Sequence, residues 1–439
     1  MAFSLRNTTL YQLYAGHEDD QVGRRTILID GIIKSCVATL NAGAFFTGFF
    51  MLYGVDIVNI SILTFIPYLA SAVAVFAPLI LERLRRRKPL LLCGKALYYL
   101  LNLFVITILP FFIHDTRILI PVSVSVIFIA NVINNTCLSG FDTWFLSFLP
   151  QHVRASHFSY MVLLPSFFGL GLALLSSFFV DAFAASAIKG YIIIGVRFLL
   201  VLIGAIDIWV CSRPRECEYP RSKSHLSVAD IFTLPLRCRK FMGTLGIYAA
   251  FLYAYNLSAS TMSYYLLNNC GVSYTFISVM DMIYPFMLLF LQPMWRSILR
   301  RTSWLAIFGW ASLTFAVSFV LYGFVNASNY IVIMLIVRSL QHVAGAGHSL
   351  AAANMIYLNT PRADQTSYIS FYNVTINLAI FLSMLSGTAF IGWMGVRTLL
   401  VGTFSFSSVQ ILLFVTGLGL FLVAGILFKS IRRLTPNED

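Results

Sequence analysis

Charged side chains are scarce in this chain. Only 11% of its 439 residues are Asp, Glu, Lys or Arg, and 59% are hydrophobic, whereas soluble globular proteins carry about 25% charged residues. No polar stretch is long enough to form a soluble domain, and the N-terminal 25 residues are too polar for a cleavable signal peptide. The composition therefore excludes a soluble protein and predicts an integral membrane protein with many spans.

The sequence motifs of common enzymes and pumps are missing as well. There is no G-x-x-x-x-G-K-[ST] phosphate-binding loop, no H-E-x-x-H zinc motif and no G-x-S-x-G nucleophile motif. The seven cysteines form no C-x-x-C pair and no metal-ligand spacing. We therefore expect neither an enzyme nor an ATP-driven pump. We also expect no cofactor and no metal site. The basic residues lie in short loops between apolar runs, so we expect no nucleic-acid partner either.

Long apolar runs account for most of the chain. A helix needs about 20 apolar residues to cross a bilayer, and we predict twelve such spans. Their approximate limits are 27–53, 57–81, 89–113, 118–148, 156–181, 190–212, 241–268, 273–295, 303–325, 329–357, 365–391 and 405–428. Cytosolic loops collect Lys and Arg. With the N-terminus inside, only Arg117, Lys189 and Arg397 fall in outside loops, so we expect both termini in the cytosol.

Two sequence patterns each occur twice in the chain and indicate that the two halves arose by duplication. The basic turn that begins at Pro78 is matched by the segment that begins at Pro293, with the same spacing of Leu, Arg and Gly. A second echo, R-A-x-x-x-S-Y, occurs at Arg154 and again at Arg362. Equal order and nearly equal offset are typical of an internal repeat. We therefore predict a cytosolic segment 1–26, a six-helix bundle 27–212, a linker 213–240, a second bundle 241–429 and a tail 430–439.

Twelve spans, a parallel six-plus-six repeat and a basic central linker resemble the major facilitator superfamily. The loop after span two is similar to that family's signature G-x-L-x-D-R-x-G-R-[RK], although Pro78 and Arg85 stand at the two glycines. The matching acidic and basic residues are Glu82, Arg83, Arg86 and Arg87. Span ten carries Arg338-x-x-Gln341, similar to an R-x-x-Q-G motif of many members.

The resemblance implies an all-α membrane protein whose twelve helices form two pseudo-symmetric six-helix bundles. It implies a secondary transporter that works by alternating access around a central cavity. It also implies a cytosolic latch, for which the candidates are Glu82, Arg83, Arg86, Arg87, Arg300 and Arg301. The alternative is that these basic residues only set the topology, since the tendency of Lys and Arg to stay in the cytosol would produce the same cluster.

Polar residues inside the spans are the candidates for the substrate or coupling site, because a charge at mid-membrane costs at least about 2.5 kcal/mol. They cluster on spans one, four, ten and eleven. The candidates are Lys34, Asn41, Asn135, Asp142, Arg338, Gln341, His342, Asn373 and Asn377. A purely structural role is the alternative for each of them, since an amide in a membrane helix often serves only to form a hydrogen bond with a neighbouring helix.

Several ionisable residues have two interpretations. Lys34 lies four residues after Asp30 and either pairs with it or extends to the interface. Arg338 binds substrate or couples an ion, or it forms a buried pair with Asp281 or Asp142. His342 either carries protons or is held by a structural hydrogen bond. We expect Lys95 and Arg197, which lie nearer the ends of their spans, to reach the membrane surface.

The sequence thus predicts a transporter of a small organic solute, either sugar-like or an organic anion or zwitterion. We expect coupling to a proton or sodium gradient, a monomer, and a bacterial plasma membrane as its location. Efflux of amphipathic drug-like compounds by proton antiport is an alternative, and a membrane sensor without transport is another.

Overall fold

The structure is a computed structural model that describes residues 13–14, 18–73, 76, 81, 84, 86–216, 228–355, 359–360, 365–395, 397–402 and 404–434. Almost all of it is helical. The helices are α1 Asp19–Leu40, α2 Gly43–Met51, α3 Ile57–Val73, α4 Lys88–Tyr99, α5 Ile106–Phe112, α6 Thr116–Leu146, α7 Gln151–Ala182, α8 Ile188–Cys211, α9 Val228–Arg237, α10 Arg239–Asn256, α11 Ala259–Tyr264, α12 Tyr274–Leu299, α13 Trp304–Tyr322, α14 Tyr330–Met355, α15 Gln365–Met394 and α16 Ser408–Leu434.

Three short elements complete the fold. A π-helical segment, Leu100–Val105, joins α4 to α5, and another, Tyr265–Asn269, follows α11. The strands β1 Leu399–Val401 and β2 Phe404–Phe406 pair antiparallel between α15 and α16.

The chain forms two compact units. The first comprises residues 1–54 and 76–224, and the second comprises residues 55–75 and 225–439. Helix α3 is grouped with the second unit because it packs along α15, where the rings of Phe65 and Phe381 meet edge-on at 5.4 Å. The predicted division into two bundles at the linker 213–240 stays a prediction.

Nine of the described helices or helix pairs are long and apolar enough to cross a membrane, and the bent pair of α1 and α2 would make a tenth. Helix α3, within predicted span two, is a shorter apolar helix in its described part. Predicted span seven is divided into α10, α11 and the π-helical segment that follows. The chain is an integral membrane protein with multiple spans, and the count of twelve stays a prediction.

The bend between α1 and α2 shapes the first unit. The last backbone N–H of α1, on Asn41, donates to Val37 O, and Gly43 then takes a positive φ of 54°, a conformation that costs glycine little. The two axes differ in direction by 46°. Phe49 and Phe50 on α2 are completely buried. The break leaves the Asn41 side chain available to another helix.

Candidate functional site

The charged residues of α1 meet those of α4 and α8 inside the first unit. Asp30 is 3% exposed. Its Oδ2 lies 2.8 Å from Lys34 Nζ, so the ion pair that the four-residue spacing indicates is present. Its Oδ1 accepts a hydrogen bond from the Lys95 ammonium of α4. Asp30 therefore joins two lysines, one half-buried and one buried.

The expectation that Lys95 extends to the membrane surface is wrong. The side chain is 3% exposed and its Nζ also lies 2.5 Å from Asp207 Oδ2 on α8. It is 3.2 Å from Cys211 Sγ and 5.0 Å from the centre of the Phe141 ring. The carboxylates of Asp30 and Asp207 compensate the charge of the Lys95 ammonium inside the protein, which offsets the cost of removing it from water.

Asp207 completes what we call the ion cluster: Asp30, Lys34, Lys95, Tyr99, Asp207 and Cys211. Its Oδ2 also accepts a hydrogen bond of 2.6 Å from the Tyr99 hydroxyl. Helices α4 and α8 come close at Gly204, where a Cβ atom would lie 3.0 Å from the Tyr99 ring. The close approach holds the phenol against the buried carboxylate, which is 0% exposed.

Arg197 of α8 is also buried, at 3% exposed, so the expectation that it reaches the headgroups is wrong. Its Nη1 donates to Asn41 Oδ1 at 2.9 Å, and its Nε donates to Thr107 Oγ1 at 2.9 Å. The guanidinium lies 4.6 Å from the centre of the Phe49 ring. The predicted site residue Asn41 therefore acts in this structure as an acceptor for Arg197, at the bend after α1.

Arg338 is the charged centre of the second unit. Its Nη1 pairs with Asp281 Oδ1 of α12 at 3.5 Å, one of the two partners considered from the sequence. Its Nε is buried and has no hydrogen-bond partner among the described residues. The Tyr322 hydroxyl, on a side chain that is 2% exposed, also has no partner there. Arg338 also interacts electrostatically with Tyr322 and Tyr255.

The two histidines of α14 have different surroundings. His342 is buried, and its Nε2 is 2.9 Å from the backbone oxygen of Met280. His348 stacks on the Phe251 ring at 5.0 Å, and its Nε2 has no partner among the described residues. The contact with Met280 is that of a structural histidine, one of the two interpretations drawn from the sequence for His342.

The other candidates do not come together in one place that the structure describes. Asn135 and Gln341 are half-buried, and Asp142 and Asn373 are exposed. Asn377 donates to the backbone oxygen of Asn373 at 2.8 Å, within its own helix. Asp142 interacts electrostatically with Lys34 and Asp30, which places it beside the ion cluster. Their roles in substrate binding or coupling stay predictions.

The candidate latch is described only in part. Glu82 and Arg83 lie outside the described residues, while Arg86, Arg300 and Arg301 are exposed. The backbone N–H groups of Arg87 and Lys88, at the start of α4, donate to the Glu216 carboxylate. Lys88 Nζ donates to Ser212 O at 2.7 Å and Pro214 O at 2.8 Å. These bonds tie the segment after α8 to the basic turn within one unit, and the latch itself stays a prediction.

Leu13 and Tyr14, which precede α1, contact other residues of the first unit. Arg24 Nε donates to Leu13 O at 3.1 Å. The Tyr14 hydroxyl and His157 Nδ1 are 2.8 Å apart. Burial raises the pKa of Tyr14 to about 12, so the phenol is protonated at neutral pH, and the tautomer of His157 sets which of the two groups donates.

The chain is similar to a known protein family in part of its sequence and to solved structures over most of its length. Residues 244–438 match the family model of the Major Facilitator Superfamily, and no curated protein sequence matches the chain. A solved structure of a variant of the nucleoside transporter NupG is similar with a TM-score of 0.69 and 11% identity, covering 93% of this chain and 99% of that one. The match with the family model covers 195 of the 439 residues. Over these residues it agrees with the resemblance noted from the sequence.

Two further solved structures are similar to this chain over most of its length. One is a POT family transporter in complex with a thioalcohol-conjugated peptide, with a TM-score of 0.67, 12% identity, and coverage of 95% of this chain and 96% of that chain. The other is a bacterial homologue of the iron transporter ferroportin, with a TM-score of 0.67, 12% identity, and coverage of 94% and 98%. At such low identity the likeness establishes the fold and not the solute.

Sequence reasoning missed the central members of the ion cluster. Lys95 and Asp207 lie on different helices, so no spacing along the chain pairs them. One signal was available. An ionisable residue in a membrane span is by default a candidate for function, and α1, α4 and α8 each carry at least one.

Proposed function

We propose that the chain is a secondary transporter of small organic anions or zwitterions and that Arg338 binds the carboxylate of the solute. The observation that carries this proposal is the incomplete pairing of Arg338. A guanidinium has five N–H donors in a planar fork that fits a carboxylate with two parallel hydrogen bonds. The contact with Asp281 uses one nitrogen at 3.5 Å, which is longer than a charge-assisted hydrogen bond.

The surroundings of Arg338 favour an anion over a neutral sugar. A buried donor without a partner costs about 1–3 kcal/mol, and both Arg338 Nε and the Tyr322 hydroxyl are such groups among the described residues. A carboxylate that accepts from both would remove this cost and compensate the positive charge. A sugar hydroxyl would satisfy one donor and leave the guanidinium charge with Asp281 alone.

The remaining parts of the proposal come from the sequence and the family. The solute would move by alternating access of a central cavity between two six-helix bundles. An ion gradient would drive the transport, because one elementary charge moving through 100 mV yields about 2.3 kcal/mol. We retain the bacterial plasma membrane, cytosolic termini and a monomer as parts of the proposal.

Efflux of amphipathic drugs, the alternative given above, would need a roomy cavity lined by aromatic side chains. The aromatic side chains around His348 form a packed cluster, with Phe251 and Phe308 at most 1% exposed. The rings of Phe251 and Phe308 pack on each other and on His348. The cluster therefore does not favour this alternative over the anion.

A thermal-shift screen of the detergent-purified protein tests the proposal. Organic anions, zwitterions, sugars and amphipathic cations would be added one at a time. We expect carboxylates to raise the unfolding temperature, since a ligand that binds only the folded state stabilises it by mass action. Arg338→Lys should abolish the shift because an ammonium cannot replace the planar fork.

Arg397→Lys is the matched control, because this arginine is exposed and lies near β1. It should keep the full ligand-induced shift. Arg338→Lys must unfold without ligand at a temperature near that of the wild type for the comparison to count. Tyr322→Phe removes one donor only and should weaken the shift. Stabilisation by sugars alone, or a carboxylate shift that survives in Arg338→Lys, would contradict the proposal.

A further inference from the structure

We propose that Asp207 Oδ1, within the ion cluster of the first unit, binds the proton that couples transport. The inference rests on the proposed function, in which transport is driven by an ion, and it identifies both the ion and the atom that receives it. It assigns a role to a charged residue of α8 that the sequence did not single out as a site.

The two carboxylates of the cluster differ in how their oxygens are used. Asp30 has a lysine on each oxygen, Lys95 on Oδ1 and Lys34 at 2.8 Å from Oδ2. Asp207 has both of its strong contacts on Oδ2, with Lys95 at 2.5 Å and the Tyr99 hydroxyl at 2.6 Å. Among the described residues, its Oδ1 has only the Cys211 sulfur at 3.8 Å, a weak donor. Of the four oxygens, Asp207 Oδ1 is therefore the one with room for a proton.

The charges of the cluster make such a proton consequential. Asp30, Lys95 and Asp207 together carry one excess negative charge, and all three side chains are at most 4% exposed. Lys34, at the rim with 36% of its side chain exposed, balances this charge from one side only. A proton taken from water turns the Asp207 carboxylate into a neutral carboxylic acid, while Lys95 and Tyr99 keep their own protons. Lys95 then has one charged partner, Asp30, instead of two.

The ionisable groups of the cluster around this carboxylate come from α1, α4 and α8. Asp142 of α6 extends the set at the rim, where it interacts electrostatically with Lys34 and Asp30. The groups are Asp30 and Lys34 from α1, Lys95 and Tyr99 from α4, Cys211 from α8 and Asp142 from α6. Protonation weakens the attraction between α4 and α8 in particular, since Lys95 and Asp207 lie on those helices.

A metal ion is the other cation to consider. Asp30, Asp207 and Cys211 offer ligand atoms within 4.8 Å of one another. The Lys95 ammonium, however, contacts all three residues, so it occupies the position that a metal ion would take. A metal would have to displace a buried lysine, whereas a proton at Oδ1 displaces nothing. The geometry therefore favours a proton.

Infrared difference spectroscopy of the reconstituted full chain tests the assignment without a solute. Lowering the pH should produce the carbonyl band of a buried, protonated carboxyl group. This band should be lost in Asp207→Asn and kept in Asp115→Asn. Asp115 is the matched control because it is an exposed residue that caps α6, and asparagine caps a helix equally well. Size-exclusion chromatography would show whether each variant is folded.

Tyr99→Phe provides a second readout if Asp207→Asn does not fold. It removes the hydrogen bond to Oδ2 and leaves Oδ1 in place, so the same band should appear at a shifted frequency. The absence of a band in the wild type, a band that persists in Asp207→Asn, or a band unmoved by Tyr99→Phe would overturn the assignment.

A transport assay tests whether this proton is coupled to movement of the solute. With a carboxylate identified in the thermal-shift screen, Asp207→Asn in proteoliposomes should lose accumulation driven by a pH gradient. It should keep exchange of labelled for unlabelled solute. Loss of both with a wild-type thermal midpoint would overturn the coupling role. The band present in the wild type without any solute transport would contradict the proposed function and leave the proton site standing.

Discussion

Replacing Lys95 by methionine should destabilise the protein strongly. Methionine has a similar length and packs well in an apolar site, so the change removes mainly the charge. At an effective dielectric constant of about 20, two unit charges 2.5 Å apart, as for Lys95 and Asp207, attract by about 6–7 kcal/mol. Asp30 provides a second pair of this kind. The variant would leave two carboxylates buried without their shared cation.

The expected loss is smaller than the sum of the two attractions. Burying the ammonium already costs several kcal/mol, and an unpaired carboxylate can take up a proton instead of remaining charged. Removal of one partner of a buried ion pair typically costs about 3–5 kcal/mol, and we expect Lys95→Met to fall in this range. The assay is denaturant unfolding of the detergent-purified protein, followed by tryptophan fluorescence.

A triple variant separates charge from packing. Lys95→Met combined with Asp30→Asn and Asp207→Asn leaves no fully buried charge in the cluster, since 36% of the Lys34 side chain is exposed, and should regain most of the lost stability. Lys429→Met, at an exposed lysine of α16, should change little. Our reasoning would be refuted if Lys95→Met lay within about 0.5 kcal/mol of the wild type, the range of ordinary surface changes, or if the triple variant were no more stable than the single one.

Three further predictions concern other contacts. Arg197→Lys keeps the positive charge but removes the planar guanidinium group. It should lower the free energy of unfolding by about 1–3 kcal/mol, because the buried acceptors on Asn41 and Thr107 lose their donors. An unchanged free energy of unfolding would mean that water satisfies these acceptors. Gly204→Ala places a Cβ 3.0 Å from the Tyr99 ring and should cost about 1–3 kcal/mol by overpacking, measured by the same unfolding assay; equal stability would show that α4 and α8 separate easily. Tyr14→Phe removes the hydrogen bond with His157 and should cost about 1 kcal/mol at neutral pH, with faster proteolysis before α1; unaltered cleavage would contradict the docking of Tyr14.

Patterns within a single helix could be predicted from the sequence. Asp30 and Lys34 are four residues apart, and one turn of helix brings them together whatever the tertiary fold. Arg197 and Asp207 are ten residues apart, and the structure gives each of them partners on other helices. The apolar runs likewise located most of the helices, because a run long enough to cross a bilayer has few other stable structures.

Contacts between helices could not be predicted in this way. Lys95 was expected at the membrane surface because it lies near the end of its span, yet it is buried with Asp30 and Asp207. Its environment depends on which face of α8 meets α4, and the spacing in either helix does not define that face. Gly204 was a weak signal, since small residues let membrane helices approach closely.

Helix breaks within the apolar runs could not be predicted from the sequence either. The bend after Asn41 interrupts predicted span one, although the run of apolar residues continues through it. Gly43 is the residue that permits the turn, but glycine is common in membrane helices and marks no bend by itself. The position of Asn41 beside Arg197 therefore required the structure.

Uptake of a radiolabelled carboxylate into proteoliposomes tests the central claim most directly. The solute would be the strongest carboxylate from the thermal-shift screen, and the wild type would be compared with Arg338→Lys and Arg397→Lys at equal protein content. The account predicts saturable uptake by the wild type and by Arg397→Lys, and none by Arg338→Lys. Equal uptake by all three proteins would contradict it.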